Sequence, residues 1–277
     1  MGAFGDLSRI NTNVQSLGAL NQLNRTNMSL GVRQLRLASG SRINRAEDDA
    51  AGYSISKKLG ARLRGQAQAL ANIGDAKSML TVAEGALNTI MDILATMKEK
   101  VIQGANDTLG SEERALVKTQ LNSLSTEINS VISSALFLSR GIFTSSALTF
   151  MVGPTSNHLF QVTVGAISAN GLGVASTSLS VRSATSAASS LGGIDRGIQT
   201  IASIMAGLGN SQLALSFKEE NLSTSIINNE SAKSRISDAD FAKEQMEIAK
   251  LQILQQTGVS ALVNANVAPQ SILQLLQ

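Results

Sequence analysis

Apolar residues recur along this chain in alternating steps of three and four. From Ile73 the series runs Ala76, Leu80, Ala83, Leu87, Ile90, Leu94, Met97 and Val101, with no polar interruption. A second series reads Val117, Leu121, Leu124, Ile128, Val131, Ala135 and Leu138. Alternation of three and four is the heptad spacing of helices that pack knobs into holes, so each series predicts a helix. Gly104 to Gly110 reads as the turn between them. Ser111 followed by Glu112 and Glu113 reads as a helix start, with a hydroxyl cap and acids at the positive end of the dipole. The two helices are expected to form an antiparallel hairpin. A third series, Ile194, Ile198, Ile201, Met205, Leu208, Gln212, Leu215, Glu219, Leu222, Ile226, Asn229, Lys233 and Ile236, spans 43 residues, roughly 65 Å at ~1.5 Å per residue. Its last turns place polar residues in the seam, so packing is expected to weaken there.

The fold these patterns predict is mainly α, an elongated antiparallel coiled-coil bundle. Its core is expected to hold Leu87, Ile90 and Leu94 from the first helix, Leu121, Leu124 and Ile128 from the second, and Ile201, Leu208, Leu215 and Leu222 from the third. The middle, from Thr144 to Val181, contains no Asp, Glu, Lys or Arg. Within it Leu148–Val152 and Leu159–Ile167 read as short strands joined by Gly-Pro-Thr-Ser-Asn, a turn signal. A small β-hairpin followed by an irregular exposed segment is expected over 144–190.

Both ends differ from the bundle. Ile10, Val14, Leu17, Leu20, Leu23, Met28, Val32 and Leu35 have helical spacing without a clean heptad. Ser237-Asp-Ala-Asp240 resembles a capping box that starts a last helix. From Leu251 to Gln277 there is no charge, and Met246, Ala249 and Ile253 form one apolar row while Ile248, Leu251 and Leu254 form another. A helix apolar on several faces must be buried. Membrane insertion is a poor explanation, because 11 of those 27 residues are Gln, Asn, Ser or Thr. Burial between identical subunits fits better, so both ends are expected to become ordered helices only in a polymer.

Composition narrows the chemistry. The 277 residues carry a net charge of +3, two prolines, no cysteine, no tryptophan and one histidine. Absence of Cys excludes disulfides, thiolate metal sites and thiol catalysis. His158 alone makes a multi-His metal site impossible, and no acid or serine–base arrangement accompanies it. Asp238 and Asp240 read as helix-start acids rather than metal ligands, and Glu47-Asp48-Asp49 reads as structural. Arg33, Arg36, Arg42 and Arg45 form a basic run, yet no stacking aromatics accompany it, so no nucleic-acid partner is expected. Gly171-Leu-Gly173 lacks phosphate-loop spacing. The chain is not expected to be an enzyme, to hold a cofactor or metal, or to insert in a membrane. With no secretory signal, because Asp6 and Arg9 interrupt the start, these features alone suggest a cytosolic protein.

Several segments also resemble a known family. Ile10-Asn-Thr-Asn-Val14, Leu35 to Gly40 (LRLASG), Arg42 to Gly52 (RINRAEDDAAG) and residues 82–89 (VAEGALNT) resemble the amino-terminal region of bacterial flagellins. Ser234 to Asp240 (SRISDAD), Gln252-Ile-Leu254, Ala265 to Gln270 (ANVAPQ) and Leu273 to Gln277 resemble the flagellin carboxyl terminus. The resemblance covers about 8–143 and 194–277. It implies a structural subunit that self-assembles into the flagellar filament for motility. A hook-associated junction protein of the same export system is the alternative.

The resemblance implies two layers. Residues 1–43 and 237–277 would form an inner coiled-coil domain in the filament core, with a spoke near 33–46. Residues 44–236 would form a rod-like helical domain, with no outer domains. Polymer contacts would fall on Ile10, Val14, Leu17, Leu20, Leu23, Ile248, Leu251, Leu254, Leu262, Leu273 and Leu276. Partners would be further copies of the chain, the flagellar type III export apparatus, an export chaperone, the filament cap and hook-junction proteins. The subunit would be secreted, in an extracellular or periplasmic filament, which overrides the cytosolic reading. In flagellins sensed by the vertebrate Toll-like flagellin receptor, the first rod helix carries a Gln-Arg pair with a Leu four residues after the Arg, and the second carries a Glu. Aligned from Glu84-Gly-Ala-Leu-Asn88, the corresponding residues are Ala95, Thr96, Lys100 and Gln120. All four differ, which implies weak or no binding to that receptor.

Overall fold

The computed structural model describes the backbone of residues 12–144 and 147–275, and side chains as far as Val267. Among these residues are five helices: α1 (Val14–Ser39), α2 (Ala50–Gly104), α3 (Ser111–Ser134), α4 (Ala184–Ser237) and α5 (Phe241–Leu275). Four short strands, β1 (Leu136–Phe137), β2 (Arg140–Gly141), β3 (Leu148–Met151) and β4 (Leu159–Val162), form two antiparallel hairpins. The chain divides into two compact units, Met1–Ala61 with Asn228–Gln277, and Arg62–Ile227.

The second unit contains the heptad core. Every member of the α2 series from Ile73 to Val101 is 0% exposed. Ile128, Leu121, Ile194, Ile201 and Leu215 are buried with them, and Leu124, Ile198 and Met205 pack against that core. α2 and α4 run antiparallel, as their cross-links show. Gln66 donates to Ser225 at 2.7 Å, Lys77 pairs with Glu219 at 2.8 Å, Gln212 donates to Glu84 at 3.0 Å and Lys98 pairs with Asp195 at 2.7 Å. The seam residues Gln212 and Glu219 therefore each meet a polar partner at a matching height. A polar seam residue that finds its partner fixes register, which its apolar neighbours do not.

Helix starts differ in detail from the sequence expectation. Gly110, not the Ser111 hydroxyl, caps α3, while Glu112 and Glu113 do occupy its first turn. Gly104 packs closely on Val181 and Val117, a tight approach that a side chain would obstruct. The last member of the second series, Leu138, is not in the helix at all. It lies in the β1–β2 turn and is 87% exposed.

That hairpin carries an unusual two-residue turn. Leu138 and Ser139 both have positive φ, 48° and 64°. Two-residue hairpin loops with both central φ positive favour Asn-Gly. Leucine there costs about 1–2 kcal/mol, because Cβ crowds the following carbonyl.

The middle segment is more buried than expected. β4 ends at Val162, not Ile167, because β3 offers only four residues to pair with. Beyond the ladder, Val164, Ile167, Leu172, Val174, Leu179 and Val181 turn into the core. An uncharged stretch free of heptad spacing thus still covers the bundle with alternate apolar side chains. α4 begins ten residues before Ile194, at Ala184.

Candidate functional site

In the first unit α1 and α5 lie antiparallel. Asn13 donates to the Ala265 carbonyl at 2.7 Å, Gln255 to Asn27 at 2.7 Å, and both oxygens of Glu244 accept from Arg33 at 3.0 Å. Midway, Gly258 faces the Leu23 side chain. Glu244 is buried and its partner is part-exposed. A guanidinium gripping both oxygens supplies charge-assisted bonds that offset part of the carboxylate's desolvation. The described terminal helices α1 and α5 are thus paired within one chain, where the sequence reading expected order only in the polymer.

The junction residues explain how the pair is set. Gly40 ends α1 with a left-handed φ of 66°. The next residues are zipped to the segment before α5: Arg42 N–H donates to the Ser237 carbonyl, Ala239 N–H to the Gly40 carbonyl, and Ser41 Oγ to the Ser237 carbonyl. The cap of α5 is Asp240, which accepts from Ala242 and Lys243 N–H, whereas Ser237 is the last residue of α4. Asp49 caps the start of α2 by accepting from Gly52 N–H. Asp48 closes the preceding turn by accepting from Asn44 and Arg45 N–H, with Arg36 at 3.5 Å. The Arg45 and Asn44 amides, aided by the Arg36 charge and opposed by burial, hold the Asp48 carboxyl below the usual range. The Arg33–Arg45 run is thus partly consumed by acids of the same chain.

Pairing covers only part of the terminal helices. Ile248 is buried, and Leu23, Leu251 and Leu262 are half-buried. Val14, Leu17, Leu20 and Leu254 are exposed. Ile10 and Leu276 lie outside the described residues, as does the side chain of Leu273. Sequence reasoning did not single out as contact residues several others that are equally bare: Met28, Val32 and Leu35 on α1, and Met246, Ile253, Val259, Val263 and Val267 on α5. Their signal was the absence of one clean stripe, since a helix apolar on several sides cannot be satisfied by one partner. α5 carries Val259, Val263 and Val267 at successive fours, a row visible in the sequence.

His158 sits exposed in the β3–β4 turn, its Nδ1 2.7 Å from Thr155 Oγ1. Among the described residues no three acidic or histidine side chains converge to hold a metal, and no helix is long and apolar enough to cross a membrane. Ala95, Thr96 and Gln120 are exposed and Lys100 is half-buried. The neighbouring Leu94, Met97 and Val101 are fully buried.

The described residues form a mostly helical protein whose α2 heptad seam is fully buried and whose terminal helices expose much of their apolar surface. The family models for the bacterial flagellin N-terminal helical region and C-terminal helical region match residues 10–147 and 191–276. The chain is 32% identical to flagellin FlaB1 of Treponema pallidum (strain Nichols), covering 97% of this chain and 99% of that one. It is also 32% identical to a flagellin of Halalkalibacterium halodurans, with 97% and 99% covered. A putative flagellar hook-associated protein from Vibrio parahaemolyticus shares the fold at a TM-score of 0.55 and 16% identity, covering 69% of this chain and all of that one. The chain belongs to the bacterial flagellin family, and it is a structural filament subunit, not an enzyme.

Asp48 gives a pH dependence to the junction. Its folded carboxyl lies below the unfolded value of about 3.9, so its stabilisation is present at neutral pH and is lost as pH falls through the folded value. Urea midpoints of the first unit, followed by a probe on α1, should drop below about pH 4. Asp48→Asn should flatten that part of the slope. An unchanged slope in Asp48→Asn would assign it to other carboxylates.

Proposed function

We propose that residues 1–43 and 237–277 form the inner coiled-coil layer of the filament, with a spoke near 33–46, and that 44–236 form the surrounding rod, with no outer domains. The observation that carries this reading is the incomplete cover of α1 and α5. Each hides part of its apolar surface on the other and leaves Val14, Leu17, Leu20, Ile253 and Leu254 bare. Further copies supply the missing cover, so Val14, Leu17, Leu20, Leu23, Leu251, Leu254 and Leu262 act in polymerisation, joined by Ile10, Leu273 and Leu276 from beyond the described side chains. Ile248 contributes by holding the helix pair together. Family membership supports export through the flagellar type III route with a chaperone, growth under a cap above hook-junction proteins, and an extracellular or periplasmic filament. A hook-associated role has less support, because the similarity to such a protein shows the fold alone.

Deleting Leu251–Gln277 should leave a helical, soluble chain that forms no tubes by electron microscopy, while the intact chain forms long uniform ones. Normal filaments from the truncated chain would refute the inner-layer reading.

The exposure of Ala95, Thr96 and Gln120 leaves these positions open to a receptor and supports the receptor inference. A hydroxyl at Thr96 cannot replace a planar multi-donor guanidinium, and Lys100 puts a charge where an apolar contact is needed. Each such loss costs about 2 kcal/mol at an interface hot spot. Dissociated subunits should therefore fail to activate reporter cells bearing the Toll-like flagellin receptor. Activation comparable to that by a flagellin with the full motif is the contrary result.

A further inference from the structure

The second unit carries an apolar hole and, elsewhere on its surface, a matching knob. Between the two small hairpins lies a cavity of about 250 Å³ whose lining includes Met79, Phe137, Ile142, Leu148 and Phe150. A dry apolar cavity of ~150 Å³ accommodates a benzene ring, so this one has room for a phenyl side chain. Leu138 forms its lip, held out at positive φ and almost wholly exposed. An exposed leucine in a strained turn lacks a folding rationale, since Asn-Gly would serve the turn better. Arg140, also on the lip, is exposed and has no acidic partner among the described residues.

On α4, Leu213, Phe217 and Glu220 follow one another at steps of four and three and so share one face. Leu213 is 55% and Phe217 62% exposed. Phe217 lines a different groove, beside Lys218 and Leu222, and not its own chain's cavity. Glu220 is exposed, and unlike Glu219, which binds Lys77, it has no partner among the described residues.

We propose that Phe217 of one copy enters the cavity of a second copy beneath the Leu138 lip, with Glu220 pairing with Arg140 of that copy. Size, apolar lining and charge all match. A phenyl ring beneath Arg140 also gains a cation–π contact that an aliphatic side chain would not. Knob and hole are different patches of one surface, so the contact is head-to-tail. Repetition of such a contact yields a ring or an open helical array rather than a closed two-fold dimer, and a filament requires the open array. The inference rests on the filament reading and adds a rod-to-rod contact to it.

Charge reversal tests it at exposed positions where folding is not at stake. Arg140→Glu and Glu220→Arg should each raise the protein concentration needed for assembly, by about tenfold, through like-charge contact. The double variant Arg140→Glu/Glu220→Arg should recover most of the loss. Phe217→Ala should weaken assembly by about tenfold or more with an unchanged monomer melting temperature. Leu138→Asn/Ser139→Gly should raise that melting temperature yet weaken assembly. If the intact chain forms filaments but single reversals are harmless, or the double variant is no better than either single, the contact is wrong and the filament reading stands. If the intact chain forms no filaments at all, the filament reading itself fails and this contact with it.

Discussion

An apolar helix face has to be taken out of water, and the two units of this chain meet that requirement differently. In the second unit the heptad seam meets it internally, although Leu116, Leu213 and Phe217 stay exposed outside that seam. The α2 stripe from Ile73 to Val101 is closed by α3, α4 and the middle segment, with nothing left over. In the first unit two helices cover one another in part, and the rest waits for other molecules. Hydrophobic cover is proportional to the apolar area removed from water, so the bare faces of α1 and α5 are stored driving force for association. On the inner-layer proposal, the filament follows from that imbalance.

Polar groups decide geometry where apolar burial does not. Lys77–Glu219, Gln212–Glu84 and Lys98–Asp195 fix the register of α2 against α4. Arg33 on Glu244 fixes that of α1 against α5, and the zipper between Gly40–Arg42 and Ser237–Ala239 sets where both begin. The surface pairs Lys77–Glu219 and Lys98–Asp195 contribute little stability. Their value lies in excluding shifted pairings that an apolar seam alone would tolerate.

The heptads made the bundle legible because a period of three and four has one physical meaning over so many turns. The terminal helices were legible as helices, and the flagellin resemblance supplied the role proposed for them. The caps fall at Gly110, which offers no side-chain hydrogen bond, and at Asp240, one of several adjacent polar residues able to offer the same one. The segment after β4 was read as exposed because burial by irregular chain leaves no period to count. Leu138 was assigned to a seam by spacing, although the helix had already ended at Ser134. Its positive φ follows from hairpin closure, which no local pattern announced. Exposure of Met28, Met246 and Ile253 was hidden as well, because sequence shows which residues are apolar and not which of them one partner can reach.

Amide hydrogen exchange compared between free subunits and assembled filaments tests most directly whether further copies cover the terminal helices. Helices held by partial pairing open locally and exchange early. On assembly, exchange should slow strongly across Val14–Ser39 and 241–267, while Ile73–Val101, already closed in the single chain, should change little. Unchanged exchange in α1 and α5, or new protection confined to the rod, would contradict the account.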